Sequence, residues 1–539
     1  MEIEKSLKQN IVNAFQKLGV SLNVDDVVIE HSKDPAHGDY ATNAALKFSR
    51  LLQKNPRDAA QALVSELDLS DIEKVEIAGP GFVNFFMKHD MLQGVVKKII
   101  DEGENYGRGK DKNLKVNVEF VSANPTGDLH IGHARGAAIG DSISRIMEFA
   151  GYQVTREYYI NDAGNQIYNL ALSLQARYFE QLGLPFTLPE DGYHGQDIID
   201  IAKKLKEEHG DKLLNIENPV DYFKQLGIKY ELDKILMDLD NFRVHFDVFS
   251  SEVKIRSNNA VEKEIEFLKP YIYEEAGAKL LRTTDFLDDK DRVIVKSNGD
   301  YTYFMPDIVY HVNKMSRGFD LLVDVLGADH HGYINRLKSA LMMHGYSQDS
   351  LDVELIQMVR IVRDGLEVKM SKRTGNALTV RELVEDVGVD AARYFFAMRA
   401  ASAHLDFDLD LALEQSSNNP VYYAFYAHAR LASVLDQASD IPLDLSAAKS
   451  TSKSETDLMK HLLAFPKEVE DAALNKDPHK ITNYVHELAT LVHSFYSECR
   501  VINRDELDVT ASRLALCKAS KIVLKNALNL IGVNAPDRM

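Results

Sequence analysis

The stretch from residue 115 to residue 149 limits the architecture of this chain more than any other. It reads KVNVEFVSAN, a run rich in β-branched and aromatic side chains. Pro125 and Gly127 follow as loop punctuation, and an apolar helical pattern runs from about Ile131 to Phe149. Strand, loop and helix in that order open a nucleotide-binding α/β unit. DLLVDVLGADH (320–330) repeats the pattern, a buried-type strand running into a glycine-containing loop and a helix. Two such units predict a doubly wound parallel sheet. Between them, roughly 170–285 is mostly polar amphipathic helix, as in IIDIAKKLKEEHG, and reads as an insertion between the sheet halves. It ends in a hairpin in which VIVK and YTYF flank Asn298-Gly299.

The flanks differ in pattern. An amphipathic helix (Ile3, Leu7, Ile11, Phe15, Leu18) and the alternation VEIAGPGFVNFFM (75–87) predict a small α+β domain over 1–110, closed by the Gly- and charge-rich linker 101–113. After about Asp390 the strands stop. Periodic helical segments such as VYYAFYAHARLASVL and NYVHELATLVHSFYSECRVI predict an all-α bundle over 391–539. The expected fold is thus α/β: a Rossmann-like catalytic domain over 111–390, flanked by those two domains.

Composition sets the outer bounds. A chain of 539 residues suits three or four domains. With 63 Lys+Arg against 82 Asp+Glu, the formal net charge of −19 argues against a general binder of nucleic acid or anionic membrane. An RNA partner would need a local basic surface, for which Lys314, Arg317, Arg336 and Lys338 are the expected cluster. The two cysteines, Cys499 and Cys517, lie outside any CxxC spacing, so neither zinc nor a disulfide framework is expected. No signal-peptide h-region opens the sequence and no apolar run approaches membrane-spanning length. A cytoplasmic protein without a membrane partner is the expectation.

Two motifs carry the chemistry. His130-Ile131-Gly132-His133 sits at the predicted helix start, so both histidines share one face beside backbone N–H donors and the positive end of the helix dipole. That corner suits a triphosphate, and Gly132 lets a base or sugar approach closely; the plainer alternative is a pair of capping histidines. About 240 residues on, Lys369-Met370-Ser371-Lys372-Arg373-Thr374-Gly375 places three cations within five residues. Such a loop can hold phosphate charge that develops as an α-phosphorus is attacked.

HIGH and KMSKR together form the signature of the class I aminoacyl-tRNA synthetases, and the chain resembles the arginyl-tRNA synthetase family over essentially its whole length. The resemblance rests on HGDYATNAAL (37–46), AGPGFVNF (78–85), EFVSANPTGDLHIGHARGA (119–137), YYINDAGNQI (158–167) and DYTYFMPDIVYH (300–311). It continues through LGADHHGYINRLK (326–338), KMSKRTGN (369–376), PVYYAFYAHARL (420–431) and LIGVNAPDRM (530–539). It implies ATP-dependent ligation of L-arginine to tRNA(Arg) through an arginyl-adenylate, with tRNA needed for activation and magnesium arriving with ATP; a monomer is the expected working unit.

The resemblance also implies roles. His130 and His133 would contact the ATP phosphates while Lys369, Lys372 and Arg373 stabilise the transition state. Gly132, Gly327, Asp329, Met370 and Ser371 complete the ATP site. A guanidinium is planar, always charged and rich in donors, so a selective pocket needs carboxylates and an aromatic wall. Glu119 and Asp307, with Tyr303, supply those types; Asn124 and His330 are further matches to the family's arginine positions. Phe82 and Asn84 match the domain that meets the tRNA elbow, and Tyr423, Tyr426 and Met539 the face that meets the anticodon loop. Tyrosines at helical spacing also suit a core. Asn161, Asp162 and Gln166 read equally as an Asn-Asp turn or as the active-site mouth.

Overall fold

The computed structural model describes residues 2–31, 37–368, 378–444 and 452–539. At its centre β1 (Lys115–Glu119) pairs with β2 (Gln153–Ile160), which pairs with β3 (Val248–Ser251). On the other side of β1 lie β4 (Leu321–Gly327) and β5 (Leu351–Ile356), giving the all-parallel order β5-β4-β1-β2-β3. Strand order reverses between β1 and β4, so a crevice opens there beyond the carboxyl ends of the strands.

Helix α1 (Ile131–Phe149) crosses back over this sheet from the end of β1. Gly140 permits the approach, because a Cβ at that position would fall into the side chain of Phe120. Helix α2 (Gly164–Gln181) follows β2, and α3 (Pro219–Asn241) precedes β3. Helix α4 (Phe304–Ser316) leads into β4 and α5 (Ile334–Met343) leaves it.

The stretch 170–285 is not one insertion. Residues of α2, of the helix Gln196–His209 and of the first half of α3 enclose a small core of Leu170, Leu174, Ile198 and Phe223. The chain then re-enters the main core through Ile235, Leu239 and Phe242 and adds β3 to the central sheet. Four residues, VFSS, half of them serine, are too short to show a period. A second excursion forms a three-stranded antiparallel sheet of Ile272–Glu275, Ala278–Leu281 and Arg292–Val295. The Asn298-Gly299 turn is present, with Gly299 at φ +90°. Its second arm is a single bridge at Tyr301, because the chain turns into α4 immediately afterwards.

The first unit has its own core, which includes Leu7, Phe15, Leu63, Val83 and Phe85, beneath a four-stranded antiparallel sheet. That core ends at Met87 rather than near 110. Helix His89–Glu102 instead sends Leu92, Val95, Val96 and Ile99 into the main core. Strands do not stop at Asp390 either, since Leu405–Asp408 pairs in parallel with Val359–Arg363. Beyond it, helices Pro420–Gln437, Lys453–Asn475, Pro478–Glu498 and Leu507–Leu530 form the C-terminal bundle. Its core is continuous with that of the catalytic sheet.

Arg393 knots the junction. Fully buried, it donates to the carbonyls of Ile531 (3.0 Å) and Phe242 (3.0 Å) and to the Asp141 carboxylate (2.5 Å). Among the described residues no helix is long and apolar enough to cross a membrane.

Gly140→Ala should destabilise the protein by about 1–3 kcal/mol by overpacking against Phe120. Gly136→Ala, one turn earlier, would meet nothing within 4 Å. It should be neutral or stabilising by up to about 1 kcal/mol, since alanine restricts the unfolded chain. Denaturant unfolding of the two variants checks the contrast.

Candidate active site

Register puts Asp324 of β4 beside Glu119 of β1, and Glu119 beside Glu157 of β2. Three carboxylates therefore stand in one row on one face of the sheet, about 4.8 Å apart by strand spacing, and all are buried. Such a row needs countercharge. Helix α4 supplies it from Tyr310, His311 and Lys314 along one face, and from Arg317 just past its end. Lys314 pairs with Glu119 and donates to Asp324 at 2.9 Å. His311 Nε2 meets Asp324 at 2.7 Å, while Arg317 (2.7 Å) and the Tyr310 hydroxyl (2.9 Å) donate to Glu157. Asn117 (2.6 Å) and Ser250 (2.5 Å) complete the donors to Glu157. Burial opposes the charge on Lys314, but Asp324, Glu119 and Glu157 outweigh it and raise its pKa. Against the same burial, Lys314 and His311 hold Asp324 below the usual carboxylate range.

Asp307, one helical turn before Tyr310 and His311, is the exception. Burial first, and then the facing charges of Glu119, Glu252 and Asp324, push its carboxyl up to about 7, with His311 opposing. Tyr159 stands opposite and packs on Tyr310, ring centroids 4.7 Å apart. Glu119 is held from the other side by the Ser122 hydroxyl at 2.9 Å. Ser122 reaches back because Val121 and Ser122 adopt φ of +67° and +40°, a left-handed turn that costs a β-branched residue about 1–3 kcal/mol. Asn124 donates to Gln166 at 2.7 Å, and Asp162 accepts from the Ser251 hydroxyl (2.6 Å) and the Val253 amide (2.9 Å). Gln166 therefore holds Asn124 in the loop after β1, and Asp162 anchors the end of β3 and the start of the helix Glu252–Ile255.

Glu119 and Asp307 thus face each other at the crevice, and Asn124 is held by Gln166 in the loop after β1. Tyr303 does not enter the crevice. One turn ahead of Asp307, it is 88 % exposed and lines a cleft of about 770 Å³ with Arg256, Lys296, Tyr333 and Arg336. His330 and Asp329 are likewise exposed, in the turn after Gly327 at the end of β4.

At the start of α1, His130 caps the helix. Its Nδ1 accepts from the Gly132 amide at 3.1 Å, and the Nδ1 of His133 accepts from the His130 amide at 3.3 Å. The rings stack at 3.7 Å. A Cβ at position 132 would sit 3.0 Å from the His130 ring, so the glycine makes room for its neighbour's imidazole. Burial, with the neighbouring imidazole, lowers His133 to about 4, and partial burial lowers His130. Both shifts favour the neutral imidazoles. With each Nδ1 accepting, the proton sits on Nε2, and the pair presents two N–H donors rather than positive charge. Lys369, Met370, Ser371, Lys372 and Arg373 lie outside the described residues. The chain resumes at Leu378, whose carbonyl accepts from the Ile131 amide at 3.1 Å, while the Val380 amide donates to Leu129 at 2.8 Å.

Comparison with known proteins bears on the same segments. Three family models match in order: Arginyl tRNA synthetase N terminal domain over 2–87, tRNA synthetases class I (R), catalytic domain over 95–402, and DALR anticodon binding domain over 424–539. The arginine–tRNA ligase of Bacillus subtilis is 50% identical, covering 100% of this chain and 99% of its own. This chain belongs to the arginyl-tRNA synthetase family. A Campylobacter jejuni structure solved under the family's name is 34% identical with a TM-score of 0.77, over 84% of this chain and 100% of that one. The Thermus thermophilus arginyl-tRNA synthetase, 20% identical, shares the fold at a TM-score of 0.77 over 99% and 100% of the two chains.

The remaining family-matched positions separate by exposure. Phe82 is on the surface. Asn84 is not: it is 5 % exposed, between Ala41 and Glu76 in the strand register, so the expectation of a surface RNA contact there is corrected to an interior position. Tyr426 and Met539 line one cleft of about 710 Å³, in which the Arg430 guanidinium lies 4.6 Å from the Tyr426 ring and 4.4 Å from that of Tyr496. Tyr423 turns inward onto His493, ring centroids 4.5 Å apart. Lys314 is fully buried and Arg317 is committed to Glu157, so the expected basic surface of Lys314, Arg317, Arg336 and Lys338 does not form.

Lys314→Met should cost about 3–5 kcal/mol, because it leaves Glu119 and Asp324 buried beside each other without their cation. A chemical-denaturation midpoint unchanged from the parent would contradict that account.

Proposed function

We infer that this family member ligates L-arginine to tRNA(Arg) with ATP, forming an arginyl-adenylate and releasing AMP and pyrophosphate. The reading is supported by one strand–loop–helix unit at the switch point of the sheet, which ends β1 on Glu119, faced by Asp307 of α4, and opens α1 with the histidine pair. Such a site aligns an amino-acid carboxylate and an α-phosphorus, two anions that must be held together against repulsion.

Within it, Asp307 is the primary partner of the guanidinium. Glu119, fixed by Lys314 and Ser122, is the second, and Asn124 holds the α-amino end. Tyr303 reaches the bound side chain only by turning in from the neighbouring cleft, and His330 lies toward the arginine carboxylate. The neutral His130 and His133 donate Nε2–H bonds to phosphate oxygens, with Gly132, Gly327, Asp329, Met370 and Ser371 around the nucleotide. Because the imidazoles carry no charge, neutralisation falls to Lys369, Lys372 and Arg373 and to magnesium brought in by ATP as part of the substrate. The first unit meets the tRNA elbow through Phe82, and the C-terminal bundle meets the anticodon loop through Tyr426 and Met539, with Tyr423 supporting from behind. The enzyme acts as a cytoplasmic monomer, which sedimentation would test.

ATP–pyrophosphate exchange with each of the twenty amino acids, with and without total tRNA, tests the substrate. Exchange with arginine alone, and only when tRNA is present, is expected; exchange with another amino acid would sink the pocket assignment. Lys372→Ala should cut that exchange by about a hundredfold or more while tRNA affinity stays nearly constant.

Arginine binding should also titrate. Below the Asp307 pKa of about 7 the carboxyl is protonated and must lose its proton to meet the guanidinium. The apparent KM for arginine should therefore rise as pH falls, approaching about tenfold per unit, while the KM for ATP stays nearly flat. Asp307→Asn should raise the arginine KM and abolish this slope.

A further inference from the structure

Helix α3 carries three charged residues on one face, Glu231, Lys234 and Asp238, spaced by three and four residues. Lys234 Nζ lies 2.8 Å from Glu231, 3.4 Å from Asp197 and 3.3 Å from Asp128, the residue two before His130. Asp238, one turn on and buried, holds Arg381 at 2.9 Å and 3.0 Å through two guanidinium nitrogens. Arg381 lies in the first turn of the helix Val380–Val387, whose start is joined to the HIGH segment by the hydrogen bonds Ile131–Leu378 and Val380–Leu129. One helix therefore grips the HIGH segment from one end of its stripe and, from the other, the chain that returns from the KMSKR motif.

The position of α3 makes the grip rigid. Phe223 near its start belongs to the small core of the first excursion, whereas Ile235 and Leu239 near its end belong to the main core. Buried ion pairs rarely stabilise a fold more than apolar residues of the same volume would. Glu231 and Asp238 are buried, while Asp128 and Arg381 at the far ends of the two pairs are 43% and 45% exposed, so the pairs add little stability and are better explained by the separation they fix.

We propose that α3 is a strut that sets the HIGH histidines against the foot of the KMSKR loop, through Lys234–Asp128 and Asp238–Arg381, and that Lys234 and Asp238 are positioning residues for the ATP end of the reaction. The proposal rests on the reading that those two motifs handle ATP. Its chemical content is narrow. The strut touches no part of arginine, so its loss impairs the alignment of the triphosphate and leaves the guanidinium pocket as it was.

The test is arginine-dependent ATP–pyrophosphate exchange, with tRNA present, on the full chain carrying Asp238→Asn, Arg381→Gln, both together, and Asp128→Asn. Each single change should lower kcat or raise the ATP KM by about fivefold to tenfold, while the arginine KM stays within about twofold. The double variant should be no worse than the worse single, as residues acting as one unit are non-additive. Asp238→Glu, which keeps the charge, should recover part of the loss. Multiplying effects, an arginine KM that moves as far as that for ATP, or rates within about twofold of the parent would overturn the strut. If Asp238→Asn fails to fold, the partly exposed Asp128→Asn and Arg381→Gln decide the matter by the same split. His133→Ala is the control for the underlying reading. Full exchange in His133→Ala would defeat the assignment of the motif, whereas its loss together with unaffected strut variants would defeat the strut alone.

Discussion

The pairing of Lys314 with Glu119 and Asp324 governs how the catalytic unit can be assembled. Three adjacent parallel strands carry carboxylates at the same level, all of them buried, with Glu119 the least so. Only a helix with cations at the right period can close over that row, and α4 has them at one-turn intervals before it delivers the chain into β4. The same helix presents Asp307 one turn earlier, where His311 only partly offsets burial and the facing carboxylates. A structural necessity and a binding surface are thus successive turns of one helix. The acidity of the crevice is what remains after the sheet's own charges have been neutralised.

The other half of the site follows a different rule. Around His130 and His133 the protein removes charge instead of adding it. Backbone amides occupy both Nδ1 atoms, and the stacked rings are held neutral by burial and by each other. Paired imidazolium ions would repel and would bind any anion indiscriminately. Two fixed N–H donors bind an oxygen only where geometry allows. Cations on a separate loop then supply charge where it develops, so orientation and neutralisation are assigned to different segments.

Much of this was legible in the sequence, for identifiable reasons. The strand–loop–helix units, the bundle and the histidine corner all announce themselves through local period or spacing, and β1, α1 and β4 lie where those patterns put them. The stripe Asp307, Tyr310, His311 and Lys314 was also visible as polar residues at helical period in an otherwise apolar helix, but its meaning was not. Lys314 looks like a surface cation until register places Glu119 and Asp324 beneath it. β3 escaped because four residues carry no periodicity. Asn84 resembled a surface position because alternation alone does not say which side of a strand is covered. Long-range pairings such as Asp238 with Arg381 leave no local trace at all.

The shared core offers a last consequence. Residues from helix His89–Glu102, the central sheet and all four helices of the C-terminal bundle belong to one continuous apolar interior, and Arg393 stitches α1, the end of α3 and the turn after the final helix at its boundary. The first unit, by contrast, keeps a separate core and adds to that boundary a Lys460–Asp39 ion pair at 2.6 Å. In mechanical terms the sheet and the bundle are one lever without a joint between them. The first unit is held to that lever from outside its interior, by this ion pair and by Leu463, which packs against both cores.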